Sequence, residues 1–306
     1  MRATLPAVPG SGGSSVRHVA VRDARSTGPV DCQVRPASPT GEAVAADELR
    51  FPTLQRTACS GSVLLMALNG GMSKVWTGVT ATQAAPAMWV VAASAAIGVG
   101  LVGWRPAWRR TRHLVTLAHE GAHGVVALLS GRRLSGIRLH SDTSGLTVSR
   151  GRHTGPGVAL TAAAGYLGPA LIGLGAAYLL HLGHPAAVLW CVLALLAVLL
   201  LQIRNWFGLW SVLVATGAVF AVSWWAPTQW QSAFAYIGTW FLLLASPRPV
   251  LELQALRRRG LAARSDADTL ARVTGLPATV WVGAFLAATL AALVVGAAWL
   301  LGWQFG

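Results

Sequence analysis

Charged side chains are scarce in this sequence: they make up 11% of its 306 residues, against ~25% in an ordinary soluble domain. Acids are scarcest, with ten Asp and Glu in all, and Lys74 is the one lysine among 24 cations. Cysteine is nearly absent as well. Cys32, Cys59 and Cys191 are too few and too scattered for a disulfide framework or a Cys-rich zinc module. So little charge excludes a typical soluble globular protein, and an apolar content of 54% excludes disorder of the whole chain. A net charge of +14 raises nucleic acid as a partner. The arginines, however, lie in short clusters between apolar runs, which is the pattern of a polytopic membrane protein, so a lipid bilayer is expected and nucleic acid is not.

Residues 1–84 differ from the remainder. They are rich in Ser, Thr, Pro, Gly and Arg and carry no sustained helical period, so they read as a mostly disordered tail ahead of a membrane domain over 85–306. The apolar stretch Ser62–Leu68 is too short to span a bilayer and lacks the features of a signal peptide. Met72 is an alternative start. From Ala85 onward the apolar runs reach spanning length, near 86–104, 113–130, 157–182, 185–203, 209–226, 231–246 and 279–301. The expected fold is all-α, with six to seven transmembrane helices. The polar stretch between the second and third runs adds a small β-hairpin: Ile137 and Leu139 alternate with Arg138 and His140, Ser141–Gly145 turns the chain, and Leu146 and Val148 alternate with Thr147 and Ser149.

Arginine-bearing loops orient the bundle. Loops 131–155, 203–208 and 247–278 carry arginine whereas 183–184 and 227–230 carry none, which places the first three in the cytoplasm of a multi-pass cell-membrane protein. Arg105, Arg109, Arg110 and Arg112 then fall on the wrong side. Either the second segment is partly re-entrant, or the rule is outvoted there.

That second segment contains His119-Glu120-Gly121-Ala122-His123, an H-E-x-x-H motif. On a helix, positions i and i+4 share a face, so His119 and His123 both reach one zinc ion. Glu120 is turned by roughly 100° from His119. It is placed to take the proton of a water whose pKa zinc lowers. A carboxylate in an apolar helix is itself a functional signal, because it is costly there.

The motif and its surroundings resemble the site-2 protease superfamily of intramembrane zinc metallopeptidases, in a bacterial multi-pass branch. The resemblance covers about residues 76–303. In that superfamily the H-E-x-x-H helix is followed by a membrane-associated β-hairpin, here at 135–150, and then by a helix with an Ala-Gly-Pro-type motif. Ala164-Gly165-Tyr166-Leu167-Gly168-Pro169 stands in that place, with Tyr-Leu-Gly intervening. The resemblance implies hydrolysis of peptide bonds in or near transmembrane segments of membrane-protein or peptide substrates, with the active site near the cytoplasmic face. The superfamily's usual third zinc ligand is an Asp in a Leu-Asp-Gly tripeptide, which this chain lacks.

The third ligand must therefore come from the remaining acids beyond residue 84: Asp142, Glu252, Asp266 or Asp268. Asp142 lies on the hairpin turn and Glu252 among arginines. Ser265 and Asp268 look like a capping box, which leaves Asp266 the freer carboxylate, with Asp268 the alternative. Asn205 reads equally as an oxyanion or substrate contact and as a helix cap. His140, Asp142 and His153 read as solvated loop groups, His113 as a partner of nearby arginines, Cys191 as core filler and Leu251–Leu261 as an amphipathic helix on an anionic leaflet. Gly165 and Gly168 form a small-residue face for packing on the H-E-x-x-H helix. Two other functions fit these residues: a proton- or metal-coupled transporter using the same His-Glu-His, and an inactive family member that only binds membrane partners.

Overall fold

The computed structural model describes residues 71, 73, 75–142, 144–151, 154–261 and 265–302. Ser62–Leu68, Met72, His153 and the tail up to residue 70 lie outside them. The described end of the tail is helical over 75–80, and Gln83 N–H donates to the Gly183 carbonyl at 2.7 Å. The chain then forms α1 (Met88–Gly103), α2 (Arg105–Leu129), β1 (Arg133–Leu139), β2 (Gly145–Arg150), α3 (Pro156–His181), α4 (Pro185–Gln202), α5 (Trp206–Trp225), α6 (Thr228–Ala245), α7 (Pro247–Arg258), α8 (Asp266–Thr274) and α9 (Ala278–Leu300). Helices α2, α3, α4 and α7 each carry proline in their first two positions, where the missing N–H costs nothing.

Four helices are long and apolar enough to cross a membrane: α3, α4, α5 and α9. The pair α1–α2 adds a fifth if it counts as one broken span, the two halves being bent by 98°. This is fewer than the six to seven read from the apolar runs. The bend arises at Trp104, which is extended, followed by Pro106, which cannot donate to the α1 ladder, so the helix restarts in a new direction. Helix α6 opens Thr228-Gln229-Trp230-Gln231-Ser232, which leaves too little apolar length. The bend also bears on the arginines at 105–112. They belong to a bent or re-entrant segment, and Arg112 meets Glu252 of the 247–278 stretch at 3.2 Å.

Four buried clusters hold the described part together, one of them, Trp108, Val115, Phe241 and Ala245, joining α2 to α6. Val91, Ala177, Leu180, Leu189, Trp240, Leu243 and Leu300 join α1, α3, α4, α6 and α9. Ala162, Val250, Leu253, Leu270 and Phe285 fix α7 and α8 against α3 and α9, so the apolar face of α7 turns inward onto the bundle. Leu117, Ile137, Leu139, Leu199, Ile203 and Val212 seat β1 between α2, α4 and α5. Leucine, valine and tryptophan also stay exposed along the spans, Leu171, Leu201, Trp225 and Val294 among them, as a lipid-facing surface requires. Cys191 is one of these outward residues, not core filler.

The two strands are antiparallel, with Ile137 opposite Thr147, Leu139 opposite Gly145 and an irregularity between Leu134 and Gly136. A third piece of chain joins them. Ile203 forms a parallel bridge to Ile137, Arg204 N–H donates to the Ile137 carbonyl at 2.9 Å, and both amide atoms of Asn205 bond the backbone of Leu139. The link between α4 and α5 is thereby tied to the outer edge of β1.

Candidate metal centre

His119 and His123 lie one turn apart on α2, and α3 packs directly over them. The close approach is possible because α3 carries glycine at 165: a Cβ there would overlap His123 Nε2 and lie 2.6 Å from His119 Cε1. Gly168 stands in the same relation to Ala122 one turn on. Pro169 lacks the N–H that would pair the Gly165 carbonyl four residues back, so that carbonyl also lacks its usual helical partner beside the histidines.

Asp266 arrives from α8. Its Oδ2 lies 3.3 Å from Nε2 of both His119 and His123, and the two Nε2 atoms are 3.1 Å apart. These three are the described His, Cys, Asp and Glu residues grouped closely enough to share an ion, all three ligand atoms lying within 4.8 Å of one another. The hydrogen bonding suits a cation. His123 Nδ1 is 2.6 Å from the Thr161 carbonyl, which only accepts, so Nδ1 carries a proton, and with that bond kept Nε2 is the nitrogen that would turn to a bound ion. Burial pushes the Asp266 carboxyl up, but the two imidazoles outweigh this and hold it well below the usual carboxylate range. Two imidazole nitrogens and one carboxylate oxygen are a donor set that could hold a metal ion.

The α8 turn that carries Asp266 is fixed from both sides. Ser265 caps it and Asp268 completes the capping box, as the sequence suggested. The other oxygen of Asp268 accepts from Arg257 of α7 at 2.6 Å. Asp268 is thus occupied away from the histidines.

Glu120 is buried, at 6% exposure, beneath the hairpin. Thr147 Oγ1–H donates to its Oε2 at 2.6 Å, and a Cβ on Gly145 would come within 2.6 Å of its Oε1. Strand β2 therefore lies over the glutamate, and only glycine fits at its first position. Thr147, Gly145 and the Thr161 carbonyl had no signature in the sequence, because each acts through a tertiary contact. Tyr166 adds an edge-on ring against His119, with centroids 4.9 Å apart, and stacks on Phe285.

The remaining candidates lie elsewhere. Asn205 makes no side-chain cap to α5; its amide grips Leu139 and so positions the hairpin. Asp142 accepts from Ser144 at the hairpin tip. Glu252 accepts from Trp108 Nε1 at 3.0 Å and meets Arg112 and Arg248, while Arg248 also covers the Trp108 ring. His113 packs on Phe207, not on arginine. His181 and His184, two histidines outside the candidate set, face the backbone of Trp299 and Ala81.

Among known families, a model described as Peptidase M50B-like matches residues 66–296. No curated protein and no solved structure matches the chain.

Proposed function

Because this chain belongs to the Peptidase M50B-like, or site-2 protease, family, we propose that it is a zinc endopeptidase that hydrolyses peptide bonds in or near transmembrane segments of membrane proteins. The observation that carries this reading is the convergence of His119, His123 and Asp266 on one point. Those three residues would hold the ion, which when bound supplies a Lewis acid and acidifies water.

The protein's own groups do the remainder. Glu120 accepts the proton of the attacking water and passes it to the departing amide nitrogen. Thr147 holds the Glu120 carboxylate in one rotamer, and the Thr161 carbonyl holds the His123 tautomer. A substrate helix must unwind before its backbone is reached. Strand β2 offers a place for the extended segment, since β1 is paired on its far side with 203–205 and no other described backbone bonds the outer edge of β2. By antiparallel alternation the groups facing that free edge belong to Gly145 and Thr147, the two residues that touch Glu120. The Arg-bearing loops support a site near the cytoplasmic face.

The test is metal analysis of purified protein together with cleavage of single-span substrates in proteoliposomes. One zinc per chain with cleavage supports the reading; metal-dependent ion flux without cleavage would identify a transporter instead. Two variants separate the acids of α8. Asp266→Ala is expected to lose zinc and cleavage together. Asp268→Ala removes a cap and an anchor and should weaken zinc only in part, since such caps contribute ~1 kcal/mol. Zinc retained in Asp266→Ala and lost in Asp268→Ala would exchange their roles. A milder result is expected for Thr147→Val, which leaves the metal in place and slows cleavage by roughly tenfold, the worth of one hydrogen bond to a charged group. An unchanged rate would show that the hydroxyl does not position Glu120.

A further inference from the structure

The hairpin has a second face that the peptidase reading does not use. Along β2, Leu146, Val148 and Arg150 are exposed while Gly145, Thr147 and Ser149 are partly covered by the bundle. Cross-strand partners share a face, so Arg138, opposite Leu146, and Arg133, opposite Arg150, belong to the same outward surface. Both are exposed. None of Arg133, Arg138 and Arg150 meets a carboxylate among the described residues, and Asp142, the one acid of the hairpin, is held by Ser144 at the tip. Two arginines directly opposite each other repel, and no side chain of the described protein offsets that.

The location of this face is equally specific. The α3 span begins at Pro156, shortly after β2 ends at Arg150, and β1 is bonded to the link Ile203–Asn205 between the α4 and α5 spans. Three span ends meet at the hairpin, which puts it at the boundary of the apolar layer, where lipid headgroups lie. A surface there that alternates guanidinium with leucine and valine matches a layer of phosphates above acyl chains.

We propose that the outward face formed by Arg133, Arg138, Arg150, Leu146 and Val148 docks on the anionic phospholipid headgroups of one leaflet and so fixes the hairpin over α2. An acidic protein segment would satisfy the arginines but has no use for the two exposed aliphatic residues between them, so lipid is the better match. The inference does not depend on peptide hydrolysis.

The experiment is hydrogen–deuterium exchange of residues 133–150 in the full chain, reconstituted in nanodiscs of phosphatidylcholine alone or with about a third phosphatidylglycerol. Exchange is expected to be roughly tenfold slower with the anionic lipid, and the difference should shrink as salt is raised. In Arg133→Gln/Arg138→Gln/Arg150→Gln the two lipids should give the same exchange, with helical circular dichroism unchanged. The salt titration of the wild-type protein decides the matter even if that variant fails to fold. Equal exchange of the wild type in both lipids would overturn the proposal. So would protection conferred by an added acidic peptide and not by phosphatidylglycerol, which would assign the face to a protein partner.

Discussion

Glu120→Gln is expected to retain zinc and to lose hydrolysis by roughly a thousandfold, in the range a positioned proton-transfer group contributes. The substitution suits the site because it changes chemistry without changing shape. Glutamine is isosteric, so it fits against Gly145 as the glutamate does, and its carbonyl oxygen still accepts from Thr147 Oγ1. None of the described metal-facing atoms belongs to Glu120, so the ion has no reason to leave. What is lost is the capacity to take a proton from water. Single-turnover cleavage in proteoliposomes, with zinc measured on the same preparation, separates the two effects. A wild-type rate in this variant would remove Glu120 from the mechanism.

Gly165→Ala is expected to lose zinc by roughly a hundredfold in affinity, the upper range for groups that orient metal ligands. The sign is informative because helix propensity runs the other way. Alanine favours an exposed helix interior over glycine by ~1 kcal/mol, so a loss cannot come from α3 itself. It comes from the added methyl, which would occupy the space of His123 Nε2 and stand against the His119 ring. Helix α3 has little room to back away from α2, since it also packs on α6, α8 and α9, Gly173 lying against Leu243. Gly175→Ala, on the same helix with nothing within 4 Å of the new atom, is the control. Equal zinc affinity in the two variants would mean that the histidines do not need the place where the structure puts them.

The sequence and the structure part company where chemistry is not local. His119 and His123 were legible because one helical turn relates them, and their geometry needs nothing from the rest of the chain. The hairpin was legible from the alternation at 137–139 and 146–148, but its irregularity at Leu134–Gly136 and its third partner at 203–205 were not. Asp266 was reached by elimination among the few acids beyond residue 84, and the structure groups it with His119 and His123. Asn205 was read as a cap or an oxyanion donor, and its bond to Leu139 across the fold could not be foreseen. The six to seven spans read from the apolar runs are not confirmed, the described residues giving four or five candidates, because apolar length is blind to direction. It cannot see that α1 and α2 meet at 98°.

The metal-facing trio also has a mechanical side. Two of its members stand on α2 and the third on α8, with the hairpin and helices α3 to α7 between them in the chain. Anything that bridges the three is a non-covalent cross-link closing that whole length of polypeptide. Helix α8 is short, and Arg257, Ser265 and the Ala267 and Leu270 contacts are its other fastenings. An ion at the centre would therefore act as a rivet: with it in place α8 could not lift without surrendering a ligand, and on its withdrawal α8 would be among the first pieces free to peel away.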